Sequence, residues 1–139
     1  MRRGLTTMSR ILVIEDDESF RRMLSRTLQR AGHQVVEAAN GRQGVDLLSV
    51  ETVDLVLTDI IMPDMEGLET IRLLRKSYPD LKVIAMSGGG RLGPEGYLKV
   101  AHRFGAMATL SKPFDNNQLF AAVDKALGLK DPIASETSP

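Results

Sequence analysis

The stretch that decides the fold is Ile11-Leu12-Val13-Ile14-Glu15-Asp16-Asp17, four apolar residues followed at once by three acids. A short unbroken apolar run is typical of a parallel strand that is buried on both faces. Asp54-Leu55-Val56-Leu57-Thr58-Asp59 repeats the theme, because it is again an apolar run that ends in a carboxylate. The two stretches predict two buried strands with acidic carboxyl ends.

Three further strands and five helices alternate with these two strands along the chain. Apolar residues at helical spacing, bounded by glycine, proline and capping residues, predict a helix after each strand. The residues from Ile60 to Gly67 contain Pro63 and are predicted to form a loop. The further strands are predicted at residues 34–38, 82–86 and 108–110. Because parallel strands need crossover connections, this alternation predicts an open α/β sheet with helices on both faces.

Polar residues stand at the ends of four of the predicted strands. They are Asp16 and Asp17 after the first strand, Asp59 at the third, Ser87 at the fourth and Lys112 at the fifth. Functional groups in such sheets gather at the carboxyl ends of the strands. Taken alone, each residue has an ordinary structural explanation, such as acids at a helix start or a lysine in a turn. Their coincidence at four strand ends predicts one site instead.

The residue types at these strand ends indicate a particular chemistry. Converging carboxylates repel one another unless a cation neutralises them, and ligation by oxygen alone suits Mg²⁺. Mg²⁺ needs only one or two protein carboxylates, which leaves Asp59 free to act as a nucleophile. The Lys112 ammonium and the Ser87 hydroxyl supply the charge and the hydrogen bond that phosphoryl oxygens require. The sequence therefore predicts Mg²⁺-dependent phosphoryl transfer to Asp59.

These residues belong to motifs that extend over nearly the whole chain. The motifs are Ile11-Leu12-Val13-Ile14-Glu15-Asp16-Asp17, then Asp59-Ile60-Ile61-Met62-Pro63 with Gly67 eight residues after the aspartate, then Ser87, and then Lys112-Pro113-Phe114. Together they closely resemble the receiver domain of bacterial two-component response regulators. The resemblance implies a flavodoxin-like, doubly wound α/β fold with five parallel strands in the order 2-1-3-4-5 and five helices.

The resemblance also implies a role for each residue of the site. Asp59 would be the phosphoacceptor and a ligand of Mg²⁺, Asp17 a direct Mg²⁺ ligand and Asp16 a ligand through water. The backbone carbonyl of Ile61 would be a further ligand, and Lys112 would pair with the phosphate.

Three more residues complete the predicted set for phosphate binding and switching. The Ser87 hydroxyl would turn inward on phosphorylation, and the Gly88 amide would touch the phosphoryl group. Thr109 stands where this family usually has Tyr or Phe, so we expect output to depend on the glycine-rich loop at residues 88–93 and on the fourth helix. The loop does not match a nucleotide-binding P-loop, because Pro94 occupies the lysine position of that motif.

The composition fits one small domain. The chain has 139 residues and no cysteine, which excludes disulfide scaffolds and thiolate metal sites. Its 18 basic residues are balanced by 18 acidic ones, so the net charge gives no general attraction to nucleic acid. Neither a membrane span of about 20 apolar residues nor a signal peptide is recognised. We expect a cytoplasmic protein with a flexible leader at residues 1–9, starting at Met1 or Met8, a receiver domain at 10–128 and a flexible tail at 129–139.

The predicted function is that of a single-domain response regulator. It would be a switch that catalyses its own phosphorylation and dephosphorylation, with a histidine kinase or histidine phosphotransfer protein as donor and an unknown downstream protein as partner. Two other classes fit less well. A phosphatase of the haloacid dehalogenase type needs a second aspartate where Ile61 stands, and a transcription factor needs a DNA-binding domain, for which too few residues follow the last predicted helix.

Overall fold

The computed structural model describes residues 9–60, 66–88 and 105–128, together with Gly96, Lys99 and residues 101–103. The predicted leader, except for Ser9, and the predicted tail lie outside the described residues, as does most of the glycine-rich loop beyond Gly88.

Five strands and five helices alternate along the described chain. The strands are β1 (Arg10–Ile14), β2 (Gln34–Ala38), β3 (Leu55–Asp59), β4 (Lys82–Ser87) and β5 (Ala108–Ser111). The helices are α1 (Glu18–Arg30), α2 (Gly41–Leu48), α3 (Glu66–Ser77), α4, described as helical at Gly96, Lys99 and residues 101–103, and α5 (Asn116–Leu127). The ends of each strand lie within one residue of their predicted positions.

The strands form one parallel sheet in the order β2-β1-β3-β4-β5. This arrangement confirms the predicted flavodoxin-like fold class. The strand order reverses between β1 and β3, so the crevice at the carboxyl ends of these two strands is the place where open α/β sheets bind ligands.

Alternating side chains of the central strands build a core on each face of the sheet. Leu12 and Ile14 of β1 face a cluster that includes Ile71 and Leu74 of α3. The residues between them, such as Val13, face a second cluster containing residues of α1 and α5. Because both faces of β1 are covered, its near-continuous apolar sequence is explained.

Helix α3 begins earlier than the sequence predicts. Glu66 and Gly67 are helical, whereas the sequence pattern predicts a loop that extends through Gly67. Glycine destabilises a helix mainly when it lies in the middle, through its backbone entropy, so Gly67 at the second position does not prevent the helix from starting at Glu66. None of the helices in the described part of the chain is long and apolar enough to cross a membrane.

Candidate functional site

The register of β1 and β3 brings two carboxylates together at the carboxyl edge of the sheet. Ile14 is paired with Thr58, so the next positions along the two parallel strands are Glu15 and Asp59. The Glu15 amide donates to the Ala38 carbonyl oxygen at 3.1 Å, which extends the ladder one residue beyond β1. Glu15 is 1% exposed and Asp59 is 4% exposed. Two acids are therefore held in neighbouring buried positions by backbone pairing alone.

A third carboxylate completes the cluster. Asp16 is exposed, and its carboxylate oxygen lies within 4.8 Å of oxygens from Glu15 and Asp59. The set combines two buried acids with one that reaches solvent, so an ion could enter from the Asp16 side. Three hard oxygen donors at this separation are able to bind a metal ion.

Asp17, the predicted direct ligand of Mg²⁺, forms the N-cap of α1 in this structure. Its carboxylate accepts a hydrogen bond from the Phe20 amide at 3.1 Å. Its own amide donates to the Glu15 carboxylate at 3.1 Å. Asp17 does not join the group of acids that the described residues bring within metal-binding reach. The side chain is thus used to satisfy an orphan N–H group of the first helical turn.

Lys112 links the two buried acids. Its Nζ donates to Glu15 Oε1 at 2.8 Å and to Asp59 Oδ2 at 3.2 Å. The Lys112 side chain is 23% exposed, against 1% and 5% for its partners. Its backbone is fixed beside β4, because the Lys112 amide donates to the Ser87 carbonyl oxygen at 2.8 Å. A peptide bond in the cis form follows, between Lys112 and Pro113.

Burial and the ion pair change the pKa values of both Glu15 and Lys112. The pKa of Glu15 is raised to about 7 from an ordinary 4.5, chiefly by burial and also by the negative charge of Asp59, with the hydrogen bond from Lys112 acting in the opposite direction. Burial lowers the pKa of Lys112, but its hydrogen bond to Glu15 and the charges of Asp59 and Glu15 outweigh burial, so that this pKa lies above its usual value. The single lysine therefore does not fully offset the burial of the two acids, and Glu15 keeps its proton to a higher pH than an exposed glutamate does.

Ser87 ends β4 one position beyond Met86, which is paired with Asp59. Its side chain is completely buried, and none of the described residues offers a hydrogen-bond partner to its Oγ. A buried hydroxyl without a partner is unfavourable and uncommon in folded proteins. Ser87 ends its strand at the same edge of the sheet as Asp59, and a hydroxyl donor there fits a ligand that carries acceptor oxygens.

Gly88, Thr109 and Ile61 are the remaining predicted site residues, and the structure describes the first two of them. A Cβ on Gly88 would lie only 3.1 Å from Lys112 Cβ and 3.2 Å from its Cδ, so glycine leaves room for the lysine stem. Thr109 lies on β5 opposite Ala85, half-buried. Thr109 comes two positions before Ser111, the last residue of β5, so it lies away from the strand end that carries the site. The Ile61 carbonyl lies outside the described residues.

Glu15 is the member of the carboxylate cluster that the sequence prediction missed. The sequence does contain a signal for it, because Ile11-Leu12-Val13-Ile14-Glu15 and Leu55-Val56-Leu57-Thr58-Asp59 align end to end as runs of equal length. Placed side by side, the two runs match Glu15 with Asp59. The prediction instead assigned the two acids that follow Glu15, of which Asp16 lies in the cluster.

Comparison with known proteins gives the family. The family model of the response regulator receiver domain matches residues 11–124 of the sequence. The response regulator receiver protein CpdR of Brucella abortus is 38% identical over 122 residues, which cover 86% of this chain and 98% of that protein. Sporulation initiation phosphotransferase F of Bacillus subtilis is 33% identical over 121 residues, which cover 87% of this chain and 95% of that protein.

A solved structure agrees with these relatives. The response regulator protein TrrA of Thermotoga maritima, in complex with Mg²⁺ and BeF, superposes with a TM-score of 0.76 at 30% identity, over 86% of this chain and 100% of that one. Other relatives are longer, since the chain spans only 25% of the DNA-binding transcriptional regulator NtrC of Azospirillum brasilense. With a family match across residues 11–124, on this sheet topology and with this site, the chain belongs to the response regulator receiver family.

Proposed function

We propose that Asp59 accepts a phosphoryl group from a phosphohistidine of a histidine kinase or histidine phosphotransfer protein. The observation that carries the proposal is the ammonium of Lys112, which lies 3.2 Å from Asp59 Oδ2 and 2.8 Å from Glu15 Oε1. A carboxylate oxygen of Asp59 attacks phosphorus, a P–O bond forms, the P–N bond of the phosphohistidine breaks, and the imidazole leaves. The product is an aspartyl phosphate on the buried edge of the sheet.

Glu15, Asp16 and Asp59 are the residues that would hold Mg²⁺. This assignment replaces Asp17 with Glu15, because Glu15 lies within the carboxylate cluster and Asp17 caps α1. The donor set fits, since Mg²⁺ prefers carboxylate oxygens and retains waters. When bound, Mg²⁺ neutralises the charge that develops on the transferring phosphoryl oxygens. The response regulator protein TrrA was solved in complex with Mg²⁺ and BeF, which supports Mg²⁺ as the ion for this site.

Two side chains would receive the phosphoryl oxygens. Lys112 supplies a positive charge that is already directed at Asp59. Ser87 supplies a hydroxyl that is buried and lacks a partner among the described residues, so a hydrogen bond to phosphate would relieve an unfavourable state. Movement of these groups toward the new charge would switch the surface that a downstream protein recognises.

The same geometry supports catalysis of both phosphorylation and hydrolysis by the receiver itself. The groups that stabilise a phosphoryl group in transfer to Asp59 also stabilise it in transfer to water. Histidine kinases consume ATP inside the cell, so the proposed donor would place the protein in the cytoplasm.

The metal assignment is tested by titrating Mg²⁺ in the presence of beryllofluoride, a phosphoryl mimic. We expect Glu15→Gln and Asp16→Asn to weaken Mg²⁺ binding at least about tenfold, because each removes a charged ligand. Asp17→Asn keeps an N-cap side chain and is the matched control, with binding within about twofold of wild type. Weaker binding in Asp17→Asn than in Glu15→Gln would return the ligand role to Asp17.

The phosphoryl transfer is tested by incubating the protein with acetyl phosphate and Mg²⁺. We expect one phosphoryl group to be added per chain, labile in base as an acyl phosphate is. Lys112→Ala should be phosphorylated more slowly, because the developing charge is less compensated. Addition of a base-stable phosphoryl group would indicate a hydroxyl acceptor and contradict the proposal.

A further inference from the structure

Phe20 lies in the first turn of α1, and its ring is next to the Lys112 ammonium of the site. Its amide is the donor in the 3.1 Å hydrogen bond to Asp17 that caps the helix, so the cap fixes the backbone from which the ring extends. The side chain is half-buried and packs against the core cluster between the sheet and α1 and α5. Asp17 thus contributes to the site indirectly, through the position of Phe20.

The face of the Phe20 ring meets the ammonium of Lys112. Lys112 Nζ lies 4.4 Å from the ring centroid, within the range in which a cation is attracted to an aromatic face. The ammonium has three N–H groups, of which two are directed at Glu15 and Asp59. The ring lies against the same nitrogen as a third neighbour, while the Lys112 side chain as a whole stays 23% exposed.

Two neighbours hold this arrangement in place. Phe114 packs edge-on against Phe20, with the centroids 5.9 Å apart and the rings inclined at 70°, which is a favourable aromatic geometry. Gly88 leaves space for the lysine stem, since a Cβ there would lie 3.2 Å from Lys112 Cδ. Lys112 therefore has a close neighbour at both parts of its side chain. Gly88 lies next to the aliphatic stem, and the Phe20 ring lies next to the ammonium.

The contact with Phe20 would matter most with Mg²⁺ bound. Glu15 and Asp59 would then share their carboxylate oxygens between the ion and Lys112, and the ammonium would also be repelled by the ion's charge. The Phe20 ring attracts the ammonium without offering an oxygen ligand to Mg²⁺. It can therefore keep Lys112 at the site when the carboxylates no longer do so.

We propose that Phe20 is a positioning residue for the phosphoryl reaction, holding Lys112 in place through the face of its ring. The inference rests on the proposed function of Asp59 and Lys112. This role differs from that of an ordinary core residue. An aliphatic side chain of similar size would fill the same space but would not attract the ammonium.

The first measurement uses NMR on the metal-free protein. A ring above the lysine head shifts the Lys112 ε-methylene proton resonances upfield from those of the other lysines. We expect this shift in wild type, its retention in Phe20→Tyr and its loss in Phe20→Leu. Phe120→Leu, which changes another half-buried aromatic residue of the same core cluster, is the matched control and should retain the shift. A wild-type Lys112 resonance without an upfield shift would overturn the inference.

The second measurement is the affinity of the same four proteins for beryllofluoride at saturating Mg²⁺. We expect Phe20→Leu to bind about three- to tenfold more weakly, while Phe20→Tyr and Phe120→Leu bind within about twofold of wild type. Equal affinity in Phe20→Leu and wild type would overturn the positioning role and leave the proposed function intact. Failure of wild type itself to bind beryllofluoride would overturn the proposed function, and the role of Phe20 with it.

Discussion

Charged residues cluster at both edges of the sheet, and the two clusters differ in their exposure to water. At the amino edge, Arg10 pairs with Glu51 at 2.9 Å, with side chains 38% and 34% exposed, and its amide donates to Asp54. At the carboxyl edge, Lys112 pairs with Glu15, whose side chain is only 1% exposed. The residue types are alike, but solvent screens the charges of the first cluster more strongly than the buried acids of the second.

The difference lies in how strongly each edge perturbs its charged groups. The amino-edge pair joins strand ends in water, where an ion pair contributes little to stability. At the carboxyl edge two acids share one lysine away from solvent, and the pKa of Glu15 is raised to about 7. A raised carboxyl pKa in a crevice at the topological switch point supports the proposed site at this edge.

The largest expected effect is a pH dependence of stability that comes from Glu15. Because its pKa is raised in the folded state, the folded protein binds the proton more tightly, and stability falls as pH rises from about 4.5 through about 7. Chemical unfolding without metal should therefore show Glu15→Gln gaining about 2–3 kcal/mol relative to wild type between pH 4.5 and pH 8. Glu51→Gln, at the exposed edge, should show no such gain. A gain of equal size in both variants would remove the distinction between the edges.

The next effect concerns Lys112. Lys112→Ala leaves Glu15 and Asp59 buried together without a cation, and we expect a loss of about 2 kcal/mol at pH 8. The loss should shrink at pH 5, because Glu15 then accepts a proton instead. Urea unfolding at the two pH values measures this, and a loss independent of pH would mean that the lysine stabilises through its stem alone.

A smaller effect is expected at Ser87. Its buried Oγ has no partner among the described residues, so Ser87→Ala should leave the metal-free protein as stable as wild type or raise the free energy of unfolding by up to about 1 kcal/mol. In beryllofluoride the sign should reverse, because wild type then gains a hydrogen bond that alanine lacks. Destabilisation in both conditions would show that the hydroxyl already has a structural partner.

The smallest effect is expected at the amino edge itself. Breaking the pair between Arg10 and Glu51 with Glu51→Gln should change the free energy of unfolding by about 0.5 kcal/mol or less, and added salt should reduce the change further. A salt-independent loss above about 1 kcal/mol would place this cluster in the same class as the carboxyl edge.

Much of this arrangement could be predicted from the sequence, because burial on both faces of β1 and β3 requires continuous apolar runs. The run of β3 places Asp59 at a strand end, and the apolar segments of β4 and β5 place Ser87 at the end of β4 and Lys112 directly after β5. The identity of the acid beside Asp59 requires strand register as well, which is a property of two segments together and is not visible within either one. The ring of Phe20 above Lys112 depends on how α1 crosses the sheet, and no local pattern specifies that contact.

The central claim, that Asp59 is the phosphoacceptor, is tested most directly by chemical mapping. Protein phosphorylated with acetyl phosphate and Mg²⁺ is reduced with borohydride, which converts an aspartyl phosphate to homoserine, and the converted residue is located by peptide mass spectrometry. We predict homoserine at position 59 and nowhere else, and none in Asp59→Asn. Homoserine at position 16 or 17 in the wild-type protein, with Asp59 unmodified, would contradict the account.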